Sequence, residues 1–364
     1  YQISNNKSYQ INNLSFFYDE EYKENLKEKW FYQLDTISTM KPQIVYNHSL
    51  KENAVVIQDE SNKIYYITNN KKFSWTRKLE SQIIGNISQG DFFKNKKIQM
   101  LFNTRDKIYQ LDRYGRDVEK FPLKIKDKTS FGHSLFDYNN SKRYRIMIIG
   151  NNNSISNLNS KGKSVLGWKY SNNENINQEL FHFKKSDKDY IVKSSDNKIE
   201  LLAINGTSRI VYKSDSVLFN KNNIILDNNY NLITISNNAL FICNLDGSSN
   251  SIAINNLDST SLLDFSKLNN QLIFSNKNKI FILDENYNQI TSKSFNDNII
   301  DIETFDEYIA VKTNNNIILL KENKIVKGTP LNYDGTCTVR SVSEGNKIDI
   351  LLTRKKILYN YQLE

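Results

Sequence analysis

Cysteine, histidine, methionine, proline and glycine are all scarce in this chain of 364 residues, with 2, 3, 3, 3 and 12 copies respectively. Two cysteines, Cys243 and Cys337, can neither staple a disulfide scaffold nor build a zinc cluster. Cys243 lies in the apolar run Leu240-Phe-Ile-Cys243 and reads as a small buried hydrophobe. His48, His133 and His182 are scattered without HxxxH or HExxH spacing, so each reads as a turn or pocket-lining residue. Triads assemble across a fold and leave no fixed spacing, but the G-x-S-x-G elbow is missing, as are glycine-rich phosphate loops. No apolar run approaches the ~18–20 residues of a membrane helix.

What the chain does contain is β-forming. Hydrophobic residues make up 38% and aromatic residues 12%, with 21 Tyr and 19 Phe, which is too apolar for disorder. Asn fills about one position in seven. Lys and Arg number 49 against 40 Asp and Glu, a net charge of +9, and the mean hydropathy is −0.60.

A unit of about forty residues recurs, the period of propellers and solenoids. Its clearest core, Lys107-Ile-Tyr-Gln-Leu-Asp112, returns as Lys63-Ile-Tyr-Tyr-Ile67, Lys198-Ile-Glu-Leu-Leu202 and Lys279-Ile-Phe-Ile-Leu-Asp284. Each run is four to eight residues of Ile, Leu, Tyr and Phe bounded by Asn, Asp or Gly, a strand-and-hairpin signature. No segment sustains a helical period, so the chain is all-β. Seven units fall at 43–80, 83–126, 130–170, 177–213, 215–255, 260–296 and 298–332, and residues 338–364 supply three strands of another. Its fourth strand is expected from residues 29–37, whose Trp30 resembles Trp75 and Trp168 on other fourth strands. A strand from the front of the chain joining the last blade (336–364) removes exposed sheet edges. The expected fold is an eight-bladed β-propeller of four-stranded antiparallel blades. Seven blades is the alternative, because the fifth unit is irregular between Val217 and Tyr230.

Residues 1–28 stand outside the repeat, as an amino-terminal extension or the remnant of an upstream domain of the same polypeptide; residues 29–364 form the propeller. Residue 1 is Tyr and no signal peptide follows it, while residues 13–19 read as an unpartnered strand.

The pattern Lys-Ile-Tyr-x-Leu-Asp-x-x-Gly, followed by an outer strand bearing Trp or Pro, resembles the quinoprotein-like (PQQ-like) eight-bladed propellers of the bacterial cell envelope. The stretches 58–65, 101–113 and 135–146 are similar to an uncharacterised propeller family of Bacteroidota. Relatives include the propeller lipoprotein that assists outer-membrane β-barrel assembly, a scaffold without catalysis. The resemblance implies an extracytoplasmic protein-interaction module, in the periplasm or at the outer-membrane periphery. Its partners would be protein subunits of a membrane-associated complex, and peripheral membrane association is compatible with it. The adjacent cysteines and the Trp in every blade of the quinone enzymes are missing here and glycines at the blade starts are few, so no cofactor is expected.

Two loops deserve comparison with metal sites. Asp137-Tyr-Asn-Asn-Ser-Lys142 looks like a worn calcium loop, but it offers one carboxylate where calcium takes six to eight oxygens. An Asx-type hairpin turn fits better, and residues 90–97 fail as a calcium loop in the same manner, so no metal site is expected. The basic clusters read mainly as solvated strand edges, and no nucleic-acid signature accompanies them. If one cluster is an interaction surface, it is Lys120, Lys124, Lys126 and Lys128 with Lys142, Arg143 and Arg145, on adjacent blades. The leading expectation is a non-enzymatic scaffold. A ligand-binding or catalytic central channel and a polyanion-binding module are the alternatives.

Overall fold

The computed structural model describes residues 2–6, 9–13, 26–71, 73–171, 174–214, 216, 218, 224–340 and 347–363. Eight antiparallel sheets follow one another along the chain. Blade one comprises Gln43–Asn47, Glu52–Gln58, Lys63–Thr68 and Ser74–Lys78, and blade two Ile84–Gly90, Gln99–Asn103, Lys107–Leu111 and Leu123–Lys124. Blade three has three strands, Ser134–Phe136, Arg145–Ile149 and Ile155–Asn159. Blade four is Phe181–Lys185, Lys188–Ser195, Lys198–Leu202 and Ser208–Lys213; blade five is Ile225–Leu226, Leu232–Ser236, Ala239–Cys243 and Ser249–Ala253. Blade six is Leu262–Ser266, Gln271–Asn276, Lys279–Leu283 and Gln289–Ser294. Blade seven is Ile299–Phe305, Tyr308–Thr313 and Asn316–Lys321, with Lys324–Ile325 and Leu331–Asn332 both pairing its third strand.

Blade eight closes the ring. Cys337–Arg340, Ile348–Arg354 and Ile357–Leu363 come from the end of the chain, and Leu26–Gln33 from the front pairs antiparallel with Ile357–Leu363. The closing strand thus begins at Leu26, three residues ahead of the expected start, and ends at Gln33. Eight blades, not seven, are present. The irregular fifth unit keeps Leu218 bridged to Ser236 and a short first strand at Ile225–Leu226. Near the amino terminus, Gln2–Asn6 and Tyr9–Asn13 form a separate hairpin; the strand expected at 13–19 lies, past Asn13, outside the described residues.

Closure is visible in the core. Eight clusters of buried side chains exist, each between two neighbouring blades, including one between blades seven and eight and one between blades eight and one. Successive strand residues point to opposite faces, so the second strand of each blade feeds both seams. In blade one, Ala54 and Val56 pack toward blade two, while Val55 and Ile57 pack toward blade eight. Both faces being buried explains why Ile146-Met-Ile-Ile149 and residues 348–352 are near-continuous apolar runs.

Tryptophans lock blade to blade. Trp75, on the fourth strand of blade one, stacks on Tyr66 and donates its indole N–H to the carbonyl of Arg113 in blade two. Gly115 lies beneath that ring at φ +76°, where a Cβ would come within 2.7 Å of Trp75, so both space and backbone demand glycine. Trp30 occupies a fourth strand as expected, but Trp168 does not. Blade three stops at three strands, and the Trp168 indole donates to Ile155 O, a carbonyl on the outer edge of its own third strand.

Turns with left-handed backbone are made largely without glycine. The two-residue loops Ser186-Asp187, Asn237-Asn238 and Glu322-Asn323 carry positive φ at both positions, the type I′ geometry that matches strand twist. Asn and Asp tolerate this conformation better than other side chains. Abundant Asn therefore takes over part of the work that scarce Gly would do.

Candidate functional site

Alternation of strand direction gives the ring two distinct faces. Face A carries the turns between first and second and between third and fourth strands. Face B carries the second-to-third turns and the links between blades. The first strands line the central channel.

A cavity of about 1180 Å³ opens in this channel, walled by first strands of blades one, two, six, seven and eight. Its chemistry is dominated by an ion-pair network. Lys312, on the second strand of blade seven and 2% exposed, reaches Asp301 and Glu303 at 3.1 Å each. Asp301 also takes Lys41 at 2.7 Å, and Glu303 takes Arg340 of blade eight. Burial opposes the charge on Lys312, but Asp301 and Glu303 outweigh it and raise the ammonium pKa. Burial likewise opposes ionisation of Asp301, and Lys312 and Lys41 hold it below its ordinary value. Asp264 of blade six is raised by burial and accepts the backbone N–H groups of Thr304 and Phe265. These carboxylates are occupied by structural partners, and they knit blades six, seven, eight and one around the axis.

The histidines stand apart from this network. His182 bonds Asp189 at 2.8 Å and packs on Phe136 and Tyr138. His133 is 4% exposed, with Nε2 2.9 Å from Ser88 Oγ and Nδ1 3.3 Å from Asn103 Oδ1. That chain has the connectivity of nucleophile, base and orienting group. Its chemistry does not follow: burial lowers His133 to about 4, far from a base poised near neutrality. The cavity wall here is Gly85, Asn86 and Ile87, and the Ser88 hydroxyl turns away toward blade three. His48 accepts the Ile98 N–H at Nδ1 (3.2 Å) and lies 3.3 Å from the Arg113 guanidinium. Among the described residues, no group of three or more His, Cys, Asp or Glu could hold a metal ion. Both cysteines are free and buried, Cys243 between blades four and five and Cys337 between blades seven and eight.

The calcium-like loops are Asx-capped turns. Asp137 accepts the N–H groups of Ser141 and Lys142 at 3.0 and 2.8 Å. Asp91 repeats the pattern one blade earlier with Asn95 and Lys96, both at 2.9 Å, and adds an ion pair with Lys142 at 2.5 Å.

The predicted basic surface is divided between the faces. Lys120 lies on the third-to-fourth turn of blade two, and Lys142 and Arg143 on the first-to-second turn of blade three, all on face A. Arg145 begins the second strand at that end and donates to the carbonyls of Arg143 and Tyr144. Lys124 is on the rim strand, while Lys126 and Lys128 follow it onto face B, where Lys128 O accepts the Asn151 N–H. A different grouping is brought together on face A: His48, Lys97, Arg113, Tyr114 and Phe93 surround a pocket of about 280 Å³. Sequence reading missed it because its walls come from three turns in two blades; the one local signal was the Asp-Arg-Tyr-Gly turn at 112–115.

No protein-family model matches this sequence, and no curated protein matches it. Solved structures do match. BamB from Moraxella catarrhalis superposes with a TM-score of 0.62 at 12% identity, over 93% of this chain and 97% of that one. Sqt1 of Saccharomyces cerevisiae gives 0.64 at 8% identity, over 92% and 98%. The dihydro-heme d1 dehydrogenase NirN, in complex with DHE, gives 0.61 at 10% identity, over 86% and 71%. Fold does not imply function, and what this chain shares with these proteins is the fold: a closed eight-bladed β-propeller similar to BamB.

Proposed function

We propose that this chain is a non-enzymatic protein-interaction scaffold of the bacterial cell envelope, an accessory subunit of an outer-membrane assembly. The observation that carries this reading is the end-to-end likeness to BamB, 93% of one chain on 97% of the other. The fate of the chemically capable side chains supports it. Asp264, Asp301, Glu303 and Lys312 hold blades together, and His133 is buried with low basicity. A rigid disk whose cores lie between blades leaves its turns free to vary as contact surface. Location in the periplasm or at the outer-membrane periphery, and attachment to an upstream domain, belong to the same reading.

The test is affinity purification of the full-length native protein from its own cell envelope after mild cross-linking, with mass spectrometry of what co-purifies. Enrichment of outer-membrane assembly subunits over an untagged control is the expected result. Recovery of the bait alone, across several detergents, would overturn the proposal.

A further inference from the structure

Four turns meet on face A of blades one and two. His48, on the first-to-second turn of blade one, touches Ile98 and Arg113 of blade two. Phe73 meets the Tyr114 ring edge-on at 5.8 Å. Around this junction stand Phe93, Leu50 and Tyr114, exposed by 55%, 49% and 44%. Large exposed apolar groups interleaved with Arg are the composition of interface hot spots.

The pocket between them is short of acceptors. A neutral imidazole has one lone pair, and in His48 the Nδ1 lone pair receives the Ile98 N–H. Nε2 then carries the proton, 3.3 Å from the Arg113 guanidinium, itself a donor. Burial and Arg113 lower the pKa of His48, as two facing donors require. Lys97 adds an ammonium at the rim. The acids nearby are already engaged: Asp112 by the N–H groups of Tyr114 and Arg116 and by the Arg116 side chain, Asp91 by Asn95, Lys96 and Lys142. Donors converge: the Arg113 guanidinium gives one N–H to the Tyr114 hydroxyl at 2.7 Å, and a guanidinium has five N–H donors to offer.

We infer that this face A pocket docks an extended acidic protein segment, with a carboxylate on the pocket side accepting from both His48 Nε2 and Arg113 while an apolar neighbour packs on Phe93 and Tyr114. A concave pocket of about 280 Å³ suits one side-chain carboxylate better than a flat lipid surface would. This surface rests on the scaffold reading, and it names the chemistry of the partner.

The experiment uses the full chain and a labelled peptide alternating glutamate with phenylalanine, followed by fluorescence anisotropy. A glutamine-for-glutamate peptide and vesicles of phosphatidylcholine with phosphatidylglycerol are the comparisons. The acidic peptide should bind at least about tenfold more tightly than the neutral one, a difference near 1.4 kcal/mol. Arg113→Glu and, separately, the exposed Lys97→Glu should each remove about that tenfold. Lys97→Glu keeps the result readable should Arg113→Glu unfold, which thermal melting checks. Equal binding of both peptides, indifference to both variants, or binding to vesicles without the acidic peptide would overturn the inference. Capture of the same envelope partner by wild type and both variants would also overturn it and leave the scaffold standing. Failure of the wild type to capture any partner strikes the scaffold reading instead.

Discussion

The indole of Trp30 donates a 3.0 Å hydrogen bond to the side-chain oxygen of Asn69. The two residues stand on different blades, eight and one, across the seam that closes the ring. Trp30 is 6% exposed and packs with Val55, Ile57, Tyr65 and Leu358. Replacing it by Ala should cost about 3–5 kcal/mol, as truncation of buried large rings does. Asn69→Ala, which removes the acceptor of the Trp30 indole and of the Asn360 amide (3.5 Å), should cost about 1–3 kcal/mol. Urea unfolding of the two variants measures both; equal losses would mean that packing at the seam contributes little.

Lys312 should be the most sensitive charged position near the channel. Lys312→Met leaves Asp301 and Glu303 facing each other with Lys41 and Arg340 still in place. The expected loss is about 2 kcal/mol, below the 3–5 kcal/mol of a fully buried broken pair. The pH dependence has a definite sign. Asp301, held below its ordinary value, stabilises the fold above the normal carboxylate range and loses that contribution as pH falls through its lowered folded value. Lys312, raised, contributes below its ordinary value and loses that contribution as pH climbs through the raised one. Denaturation midpoints of wild type and Lys312→Met should draw together as pH falls below the ordinary carboxylate range and as it climbs above the ordinary lysine range.

His133 makes the fold acid-sensitive earlier than the carboxylates do. The unfolded chain takes up this proton near pH 6.5, whereas burial lowers the folded value to about 4. The stabilising difference is complete above about pH 6.5 and disappears progressively down to pH 4, a span worth roughly 3 kcal/mol. In His133→Gln that part of the slope should be missing, whatever the variant's stability at neutral pH. An unchanged slope between pH 6.5 and 4 would refute the assignment.

Both thiols should be silent in the native protein. Burial pushes Cys243 up to about 12 and raises Cys337 as well, so neither forms appreciable thiolate at neutral pH. An aromatic disulfide reagent should release chromophore only on addition of denaturant, and then two equivalents per chain. Rapid native labelling would show that a seam opens.

The blades were legible because each second and third strand is a short aliphatic and aromatic run that must face two neighbours at once. The closing strand was legible because Trp30 repeats the setting of Trp75. Blade three has three strands where the repeat predicts four. Trp168 looks like a fourth-strand residue, yet its indole takes Ile155 O on the sheet edge, and Gly162 and Gly167 turn the chain at φ +73° and +79°. The face A pocket was illegible for another reason. His48 and Arg113 are 65 positions apart, and their meeting depends on how two blades pack. The basic cluster that sequence proximity suggests is divided because the fourth strand, Leu123–Lys124, carries the chain from face A to face B between Lys120 and Lys126.

Ring closure also dictates when this protein can finish folding. Glu28 and Tyr361 touch across 333 positions of chain. Bringing such ends together costs roughly 5 kcal/mol of loop-closure entropy by logarithmic scaling, while each hairpin closes only a few residues. On the ribosome, the interior blades can therefore zip as they emerge, but Leu26–Gln33 must wait until Ile357–Leu363 has been synthesised. Until then Val55, Ile57 and Tyr65 on the flank of blade one lack their blade-eight neighbours Leu351 and Leu358. A nascent chain without Ile357–Leu363 therefore exposes an apolar wall, the kind of surface that chaperones protect.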